Sequence, residues 1–298
     1  MSTLRILHLT DTHLYGDDTR HYGVVDTEAH LRMTLARVAD RAFDLVVCSG
    51  DVSEDGSIAS YELVHGILEP WARQRGARTI YAMGNHDDRE GFRAVLGEGQ
   101  PGVPVHTPAA AATRPDPGAP ERSIASVTEA RGWRTIVLDT SVPGAGYGEL
   151  SDAQLEFLAD AVQSPAGHGT VIVMHHPPVR AETDLLQALA LDERSADGLW
   201  DRIRDTDVRA ILSGHYHHPI VETVYGMPVI VAPGVTNLAA AFDGRAEESA
   251  NDWFGAAVIE VSAERTRVLP LSEPATGSEV FRMDAQHVQQ VIKVAGRP

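Results

Sequence analysis

Short apolar runs alternate with longer segments of helical periodicity along the first third of the chain. The runs at residues 4–9, 45–48 and 78–83 are typical of buried strands. Residues 27–42 and 58–75 carry apolar side chains three or four positions apart, which predicts one buried face on each of two helices. This βαβαβ order predicts parallel strands joined by right-handed crossovers.

After residue 122 the pattern predicts more strands than helices. Strands are predicted at residues 123–127, 135–138, 170–174, 208–212, 221–225, 227–232, 256–261 and 266–270. Helices are predicted at residues 152–162 after the N-cap residue Ser151, around 185–191 and 199–204, and at 284–295 with Val288 and Ile292 buried. The strand-rich second half indicates a second sheet, and the whole order predicts an α/β fold.

Residues 97–122 interrupt this pattern with a stretch rich in Gly, Pro and Ala. Such a composition predicts a long surface loop inserted into one domain, and not a boundary between two domains. We therefore predict one main domain over residues 1–271, which includes this loop. Residues 272–298 are predicted to be a C-terminal extension with a short helix.

The composition is that of an ordinary globular protein with a sizeable core, because 43% of the 298 residues are hydrophobic. No apolar run reaches the length of a membrane span, and the first residues lack the apolar centre of an export signal. The single cysteine, Cys48, lies in an apolar run and excludes a disulfide within the chain. We therefore expect a cytoplasmic protein in which Cys48 is buried.

The formal net charge of −17 narrows the class of partner. Such a chain repels polyanions over most of its surface. No cluster of Lys and Arg offers contacts to a phosphate backbone, so we expect no binding to a nucleic-acid polymer. Most of the acidic side chains are expected to keep the surface solvated, and part of them to serve cations.

Five of the predicted strands end in side chains that can bind metal ions. In chain order these are Asp11 and His13, then Asp51, then Asn85 and His86, then His175 and His176, and finally His215 and His217. They are expected to converge, because ligands of open α/β sheets bind beyond the carboxyl ends of the strands. Their oxygen and nitrogen donors suit divalent transition metals. The donors exceed the needs of one tetrahedral ion, so the set predicts two ions that share a carboxylate.

Each of these motifs has a plain structural interpretation when it stands alone. The segments DTH, SGD and MGNHDD are ordinary turns after strands, and the two prolines after His176 close another strand. Their joint occurrence, each at a strand end, favours a functional site. Asp139 in LDTS looks similar, but we assign it a structural role. Seven other histidines are expected to lie outside the site: His8, His21, His30, His65, His106, His168 and His287.

The segments DTH, SGD, GNHD, HH and GHYH together resemble those of the calcineurin-like metallophosphoesterases. The runs HLTDTHLYGDDTRHYGVVDT and MGNHDD, and LDTSVPG followed by GEL, resemble in particular the bacterial class III cyclic nucleotide phosphodiesterases of the mycobacterial type. The resemblance covers most of residues 4–271, and the loop at 97–122 and the tail depart from it. It implies a four-layered αββα sandwich, with two mixed β-sheets flanked by helices.

The resemblance also implies a dinuclear metal centre. Asp11, His13, Asp51 and His217 would hold the first ion, and Asp51, Asn85, His175 and His215 would hold the second. The residue chemistry agrees, because a bridging ligand should be anionic and Asp51 can offer one oxygen to each ion. Sites built from Asp, His and Asn accept Fe, Mn, Zn or Co, so the sequence does not name the two transition-metal ions.

A hydroxide between the two ions is the expected nucleophile of an in-line attack on phosphorus. His86 is not needed as a ligand and is placed to give a proton to the leaving alkoxide, with Asp87 orienting its other ring nitrogen. These two residues are the predicted catalytic side chains. The predicted substrate-binding residues are Asn85, His86, Tyr22, His176 and Tyr216.

The resulting hypothesis is a phosphodiesterase of cyclic nucleotides, with 3′,5′-cAMP as the first candidate. A broader enzyme that takes 2′,3′-cyclic nucleotides or glycerophosphodiesters is the alternative, because the metal core is shared. A protein phosphatase is disfavoured, because we do not find the phosphate-binding arginines that such enzymes carry after GNHD. A nuclease is disfavoured because this chain has no basic surface. A scaffold without chemistry should have lost ligands, whereas every position is filled. The related enzymes imply a homodimer.

Overall fold

A computed structural model describes residues 2–106 and 122–297. The strands in these residues are β1 (Leu4–Leu9), β2 (Leu45–Ser49), β3 (Arg78–Ala82), β4 (Ser126–Ala130), β5 (Trp133–Val137), β6 (Gly169–Val173), β7 (Val208–Ser213), β8 (Ile220–Val224), β9 (Met227–Val231), β10 (Leu238–Ala239), β11 (Glu248–Val261) and β12 (Thr266–Met283). The helices are α1 (Thr27–Arg37), α2 (Ile58–Gln74), α3 (Arg89–Leu96), α4 (Asp152–Ala161), α5 (Asp184–Ala188), α6 (Glu193–Ile203) and α7 (Ala285–Ala295).

The strands form two mixed sheets. In the first sheet the order is β10-β11-β1-β2-β3, with β12 paired to β11. Strands β1, β2 and β3 are parallel, as the βαβαβ pattern predicted, and β11 runs antiparallel to β1. In the second sheet the order is β4-β5-β6-β7-β9-β8, and its four central strands are parallel. The carboxyl ends of the parallel strands provide the loops of the site described below.

Three apolar clusters define the layers of the fold. The first lies between helices α1–α3 and the first sheet and includes Leu31, Leu68 and Tyr81. The second takes Ile6 from β1 and Val171 from β6, so it fills the space between the two sheets. A third cluster packs helices α4 and α6 against the outer face of the second sheet. The predicted αββα sandwich is therefore confirmed.

The helices begin where the sequence supplies an N-cap. Each of the residues Asp26, Ser57, Asp88, Ser151, Thr183, Asp192 and Asp284 accepts a backbone hydrogen bond with its side chain. The predicted cap at Ser151 is confirmed, and α7 buries Val288 as predicted, although Ile292 is only half-buried. Helix α1 ends at Arg37 and not at residue 42, because the chain leaves helical geometry at Val38 to bury Phe43 before β2.

Strand β12 is much longer than the five residues predicted for it. It pairs with β11 from Thr266 to Met283, with register shifts beside Asn251. Within the described residues β12 pairs with β11 alone and is therefore an edge strand. An edge strand tolerates Pro274, although proline has a low propensity for strands. The strand crosses position 271, where the main domain was predicted to end. The division into residues 1–271 and 272–298 stays a prediction.

The predicted loop at residues 97–122 is described only at its ends. The Gly99 carbonyl accepts a hydrogen bond from the Tyr81 amide at 2.7 Å, and the Gln100 side-chain amide donates to the Ser126 hydroxyl at 3.0 Å. The first residues of the loop are therefore attached to both sheets. The part at residues 107–121 lies outside the described residues. Among the helices described above, none is long and apolar enough to cross a membrane.

Candidate metal centre

The loops after β1, β2, β3, β6 and β7 bring the predicted metal ligands together. Donor atoms of Asp11, His13 and His217 lie within 4.8 Å of one another, and so do those of Asp11, Asp51 and His175. Asp51 Oδ2 lies 3.7 Å from His13 Nε2 and 3.2 Å from His175 Nε2. Asp51 thus lies beside one predicted ligand of each ion, which fits the bridging position predicted for it, and Asp11 is a member of both groups.

His215 and Asn85 stand beside these groups. The His215 ring centroid lies 5.1 Å from that of His175, and its backbone N–H donates to the Asp11 carboxylate at 3.1 Å. Asn85 lines the same cleft as Asp51 and His215. Five separate segments of the chain therefore place all seven predicted ligands at one edge of the sandwich.

The backbone is strained at this edge. Five of the seven predicted ligands have a left-handed φ: Asp11 (52°), His13 (43°), Asp51 (45°), His215 (71°) and His217 (51°). Elsewhere in residues 2–106 and 122–297 only three non-glycine residues do. This conformation costs free energy in a residue with a side chain and tends to persist at functional sites. Ordinary turns would place glycine at these positions, so the strain favours a functional role for the side chains.

Gly84 and Gly214 allow the loops to approach one another closely. A β-carbon on Gly84 would lie 2.1 Å from Asp51 Oδ1, and one on Gly214 would lie 1.8 Å from Thr10 Oγ1. Both distances are far below van der Waals contact. Glycine is therefore required in GNHD and in SGHYHH, because a side chain there would displace the loops that hold Asp51 and Asp11.

The ring orientation of three histidines is fixed by acceptors at Nδ1. His13 Nδ1 donates to Glu54 Oε2 at 2.6 Å, His175 Nδ1 to the Ser49 carbonyl at 2.9 Å, and His217 Nδ1 to Asn237 Oδ1 at 3.0 Å. A histidine that carries its proton on Nδ1 presents the lone pair of Nε2. Such contacts to the outer nitrogen are usual for metal-binding histidines.

The donor atoms fit transition-metal ions. His215 Nε2 and Asn85 Oδ1 are buried and have no hydrogen-bond partner among the described residues. Buried polar atoms are usually paired in folded proteins, so these two are available to a ligand. Imidazole nitrogens with carboxylate and amide oxygens are donors that Fe, Mn, Zn and Co accept. The residues are thus suited to two metal ions, without selecting among these metals.

The charges of the centre favour a cation beside Asp51. Burial alone would raise the pKa of Asp51, but His175, His86 and His13 outweigh it and hold this pKa well below its usual range. Burial lowers the pKa of His175, but Asp51 and Asp11 raise it to about 9. The carboxylates therefore stabilise positive charge at this place, and a bound metal ion would supply that charge in place of imidazolium protons.

His86 lies at the mouth of the centre, with 40% of its side chain exposed. Its Nδ1 is 3.0 Å from Glu54 Oε2, the oxygen that also accepts from His13. Burial lowers the pKa of His86, but the Asp51 and Glu54 carboxylates outweigh this effect and raise the pKa to about 10. The two carboxylates therefore favour the protonated imidazole at this place, from which it can donate a proton.

Asp87 does not orient His86, so that part of the sequence prediction is wrong. The Asp87 carboxylate accepts backbone N–H bonds from Val52 (3.2 Å), Ser53 (2.9 Å) and Gly84 (2.8 Å), and the Tyr61 hydroxyl at 3.1 Å. Glu54 occupies the position at the Nδ1 atom of His86. These bonds join the loop after β2 to the loop after β3. Because four hydrogen bonds occupy its oxygens, Asp87 has no acceptor left for His86.

A cleft of about 130 Å³ lies beside His86 and contains both tyrosines that were predicted to bind substrate. Tyr22 is 48% exposed and packs on Phe281 with a centroid distance of 4.7 Å. Tyr216 is buried, and its hydroxyl donates to the Val179 carbonyl at 2.8 Å. Tyr22 is accessible to a ligand, whereas Tyr216 contributes only a wall.

His176 does not have the free ring nitrogen that its predicted contact with substrate requires. Its Nδ1 accepts from the Thr140 hydroxyl at 2.8 Å, and its Nε2 donates to the Gly146 carbonyl at 3.1 Å. The side chain is fully buried. His176 therefore supports the loops behind the centre, because both nitrogens are already paired within the protein.

Three residues near the centre were not predicted from the sequence. Glu54 joins His13 and His86, and Asn237 holds His217. His21, which was expected to lie outside the site, stacks on His13 with a centroid distance of 4.9 Å. Glu54 follows Asp51 by three positions, a spacing that gives a weak signal. Asn237 and His21 carry no such signal, because only the tertiary fold brings them to the site.

Asp139 has the structural role that was predicted for it. It is fully buried and accepts from Arg89 Nε at 2.9 Å and from the Ile124 backbone N–H at 3.0 Å. Arg89 is the arginine nearest to GNHD in sequence, and it also donates to the Ser141 carbonyl at 2.9 Å. Arg89 therefore pairs with residues of the protein interior and is not part of the predicted metal centre.

A family model described as calcineurin-like phosphoesterase matches residues 4–219. The chain belongs to this family. It is 38% identical to a cAMP/cGMP dual specificity phosphodiesterase of Mycobacterium tuberculosis, over 76% of this chain and 66% of that protein. It is also 38% identical to a probable cyclic nucleotide phosphodiesterase of Rhodococcus erythropolis, over 76% of this chain and 69% of that protein. The chain thus spans about two thirds of the length of these relatives.

Two solved structures share the fold at low sequence identity. A dimetal phosphatase from Danio rerio superposes with a TM-score of 0.59 at 14% identity, over 92% of this chain and 99% of that one. GAP50, described as the anchor in the inner membrane complex of Plasmodium, gives 0.54 at 13% identity, over 100% and 96% of the two chains. These similarities support the architecture of the fold and say nothing about the chemistry of the site.

Proposed function

We propose that this protein is a dinuclear metal-dependent phosphodiesterase that hydrolyses 3′,5′-cyclic nucleotides, with 3′,5′-cAMP as a principal substrate. The observation that carries the proposal is the convergence of seven metal-ligand side chains beside His86, at a cleft with apolar walls. The names of the relatives from Mycobacterium tuberculosis and Rhodococcus erythropolis support the substrate class.

The protein's own residues divide the work of binding and proton transfer. Asp11, His13, Asp51 and His217 would hold one ion, and Asp51, Asn85, His175 and His215 the other. The two bound ions would supply Lewis-acid stabilisation of the phosphate and activate a water molecule. His86 gives its proton to the leaving sugar oxygen. Glu54 keeps His86 protonated and orients it through the contact at Nδ1.

The alternative is a broader phosphodiesterase that takes 2′,3′-cyclic nucleotides or glycerophosphodiesters. It shares the metal ligands, so only the cleft can discriminate. Apolar side chains of α5 and β12, together with Tyr22, line this cleft. Such walls suit a planar base better than glycerol, and this favours a nucleotide. The cytoplasmic location and the homodimer expected from the sequence stay predictions.

A substrate panel with metal analysis of the same sample tests the proposal. The panel contains 3′,5′-cAMP, 2′,3′-cAMP, glycerophosphocholine, p-nitrophenyl phosphate and bis(p-nitrophenyl) phosphate. We expect about two ions of Mn, Fe, Zn or Co per chain and the highest kcat/KM on 3′,5′-cAMP. A higher kcat/KM on glycerophosphocholine or 2′,3′-cAMP would favour the alternative. Absence of turnover by the metal-loaded protein would contradict both.

A further inference from the structure

One carboxyl group of the cleft has no part in the metal chemistry. Glu248 begins β11, lines the same cleft as His86 and Asn85, and is only 4% exposed. It is neither one of the predicted ligands nor a partner of their ring nitrogens. A buried carboxyl without a cation is unfavourable, so its presence at a binding cleft calls for a ligand.

Glu248 is half-paired within the protein. Its Oε2 accepts from the Thr183 hydroxyl at 2.6 Å, while Oε1 has no hydrogen-bond partner among the described residues. No Lys, Arg or His of residues 2–106 and 122–297 forms an ion pair with it. Burial raises the pKa of Glu248 to about 7. Near neutral pH the carboxyl is therefore populated in both its neutral and its ionised form.

The surroundings of Glu248 suit a flat aromatic ligand. Glu248 lies directly across from Met283 in the β11–β12 pair, and Phe281 follows two positions away on the same face of β12. Both side chains line the cleft together with Leu185 of α5, with Leu189 just after this helix and with Tyr22. A planar ring between such walls would present its polar edge to the Glu248 carboxyl, which lines the same cleft as Tyr22 and Asn237.

We propose that Glu248 determines the base specificity of the enzyme by forming hydrogen bonds to the Watson–Crick edge of the purine. This inference rests on the proposed function and adds a residue to it. An ionised carboxylate accepts from both N1–H and N2–H of guanine. A neutral carboxyl accepts from N6–H of adenine and donates its own proton to N1 of adenine. One side chain thus accommodates cGMP and cAMP in two protonation states.

Glu248→Gln separates the two purines. The amide keeps one acceptor and one donor, which match N6–H and N1 of adenine. Toward guanine held by N1–H and N2–H, the amide oxygen accepts from only one of these donors and the amide N–H faces the other, so one of the two hydrogen bonds is lost. A bidentate contact to a base is worth about 1–3 kcal/mol of discrimination. We expect the ratio of kcat/KM for cGMP to kcat/KM for cAMP to fall at least about tenfold, with each value normalised to bis(p-nitrophenyl) phosphate in the same sample.

Two controls make the test specific. Glu247→Gln changes the neighbouring, exposed side chain, which pairs with Arg282, and should leave the ratio unchanged. A modified substrate tests the wild-type protein without any mutation. Cyclic 3′,5′-inosine monophosphate lacks the N2 amino group, so the wild type should cleave it less efficiently than cGMP. In Glu248→Gln this difference between cGMP and the inosine nucleotide should disappear.

The failures of the two proposals are distinguishable. If the metal-loaded wild type cleaves bis(p-nitrophenyl) phosphate but no cyclic nucleotide, the proposed function is wrong and the role of Glu248 falls with it. If the wild type cleaves both cyclic nucleotides and the ratio in Glu248→Gln stays within about twofold of the wild-type value, the function stands and Glu248 does not contact the base.

Discussion

Asp51 and Asp139 occupy equivalent positions in the two sheets, yet their surroundings differ. Each follows a buried strand by two positions, β2 for Asp51 and β5 for Asp139, and each side chain is buried. Asp139 receives Arg89 Nε at 2.9 Å and backbone N–H groups of Ile124 and Ser141. Asp51 faces the Nε2 atoms of His175 and His13 at 3.2 and 3.7 Å.

The difference between these two aspartates lies in what neutralises their charge. The guanidinium of Arg89 is permanently charged and fills the site of Asp139, so this carboxylate stabilises the fold and nothing else. The histidines around Asp51 can lose their protons and then offer lone pairs to a metal ion. The left-handed φ of 45° at Asp51 adds strain that Asp139 does not have. A carboxylate at a strand end therefore becomes functional when its partners are exchangeable.

Asp51→Asn should give the largest effect, because it removes the charge that both ions would share. Loss of even an outer contact to a metal ligand typically costs about 10- to 100-fold in affinity or activity. We expect turnover of bis(p-nitrophenyl) phosphate below about 1% of wild type and reduced metal content at both positions. Metal analysis and initial rates on the same sample measure this. A variant with two bound metals and most of its turnover would contradict the bridging role.

His86→Ala should retain both metals and lose activity according to the leaving group. Cyclic AMP expels a sugar alkoxide that needs a proton, whereas nitrophenolate leaves readily without one. General acid catalysis is typically worth about 10²–10⁴ in rate. We therefore expect a loss of this size in kcat on 3′,5′-cAMP and a far smaller loss on bis(p-nitrophenyl) phosphate. Equal losses on the two substrates would indicate that His86 positions the phosphate and is not the acid.

Glu54→Gln should have a smaller effect in the same direction. The amide oxygen still accepts from His13 Nδ1, but the negative charge beside His86 is lost. We expect kcat on 3′,5′-cAMP to fall about tenfold at saturating Mn²⁺, with a smaller fall on bis(p-nitrophenyl) phosphate. Glu62→Gln, on the exposed face of α2, is the control and should match wild type. A Glu54→Gln enzyme with wild-type kinetics on both substrates would refute the positioning role.

The convergence of the predicted ligands was predictable because each comes shortly after an apolar strand, and their binding of metal ions stays a prediction. The same pattern did not by itself distinguish Asp139, whose segment LDTS looks similar, and the structure shows the difference in its partners. Most strands of both sheets were predictable from their apolar runs, but β10 and the first half of β11 were not. Strand β12 was not, because Pro274 and its charged neighbours lower strand propensity and only pairing with β11 holds them extended.

The contacts around the ligands were less accessible to prediction. Asp87 was assigned to His86 because the two are adjacent in sequence. Adjacent residues in a turn need not face each other, and backbone N–H groups of two loops donate to the Asp87 oxygens instead. His176 was assigned to substrate for a similar reason, although its position after β6 turns it inward to Thr140. Glu248 and Asn237 lie far from every motif, so only the tertiary structure shows that they reach the site.

Asp139→Asn should have the smallest effect on turnover and should affect stability instead. The variant leaves the Arg89 guanidinium buried without its counter-charge, and breaking a buried ion pair typically costs about 3–5 kcal/mol. Asp152→Asn is the matched control, because it breaks an aspartate–arginine pair at 3.1 Å that is exposed on both sides and contributes little. Urea unfolding of the two variants and of wild type gives the free energies of unfolding. Turnover per folded, metal-loaded molecule should stay within about threefold of wild type for Asp139→Asn, because none of the predicted ligands contacts Asp139. If this variant instead loses metal at unchanged stability, the two aspartates are not functionally distinct, and the partner of a strand-end carboxylate does not decide its role.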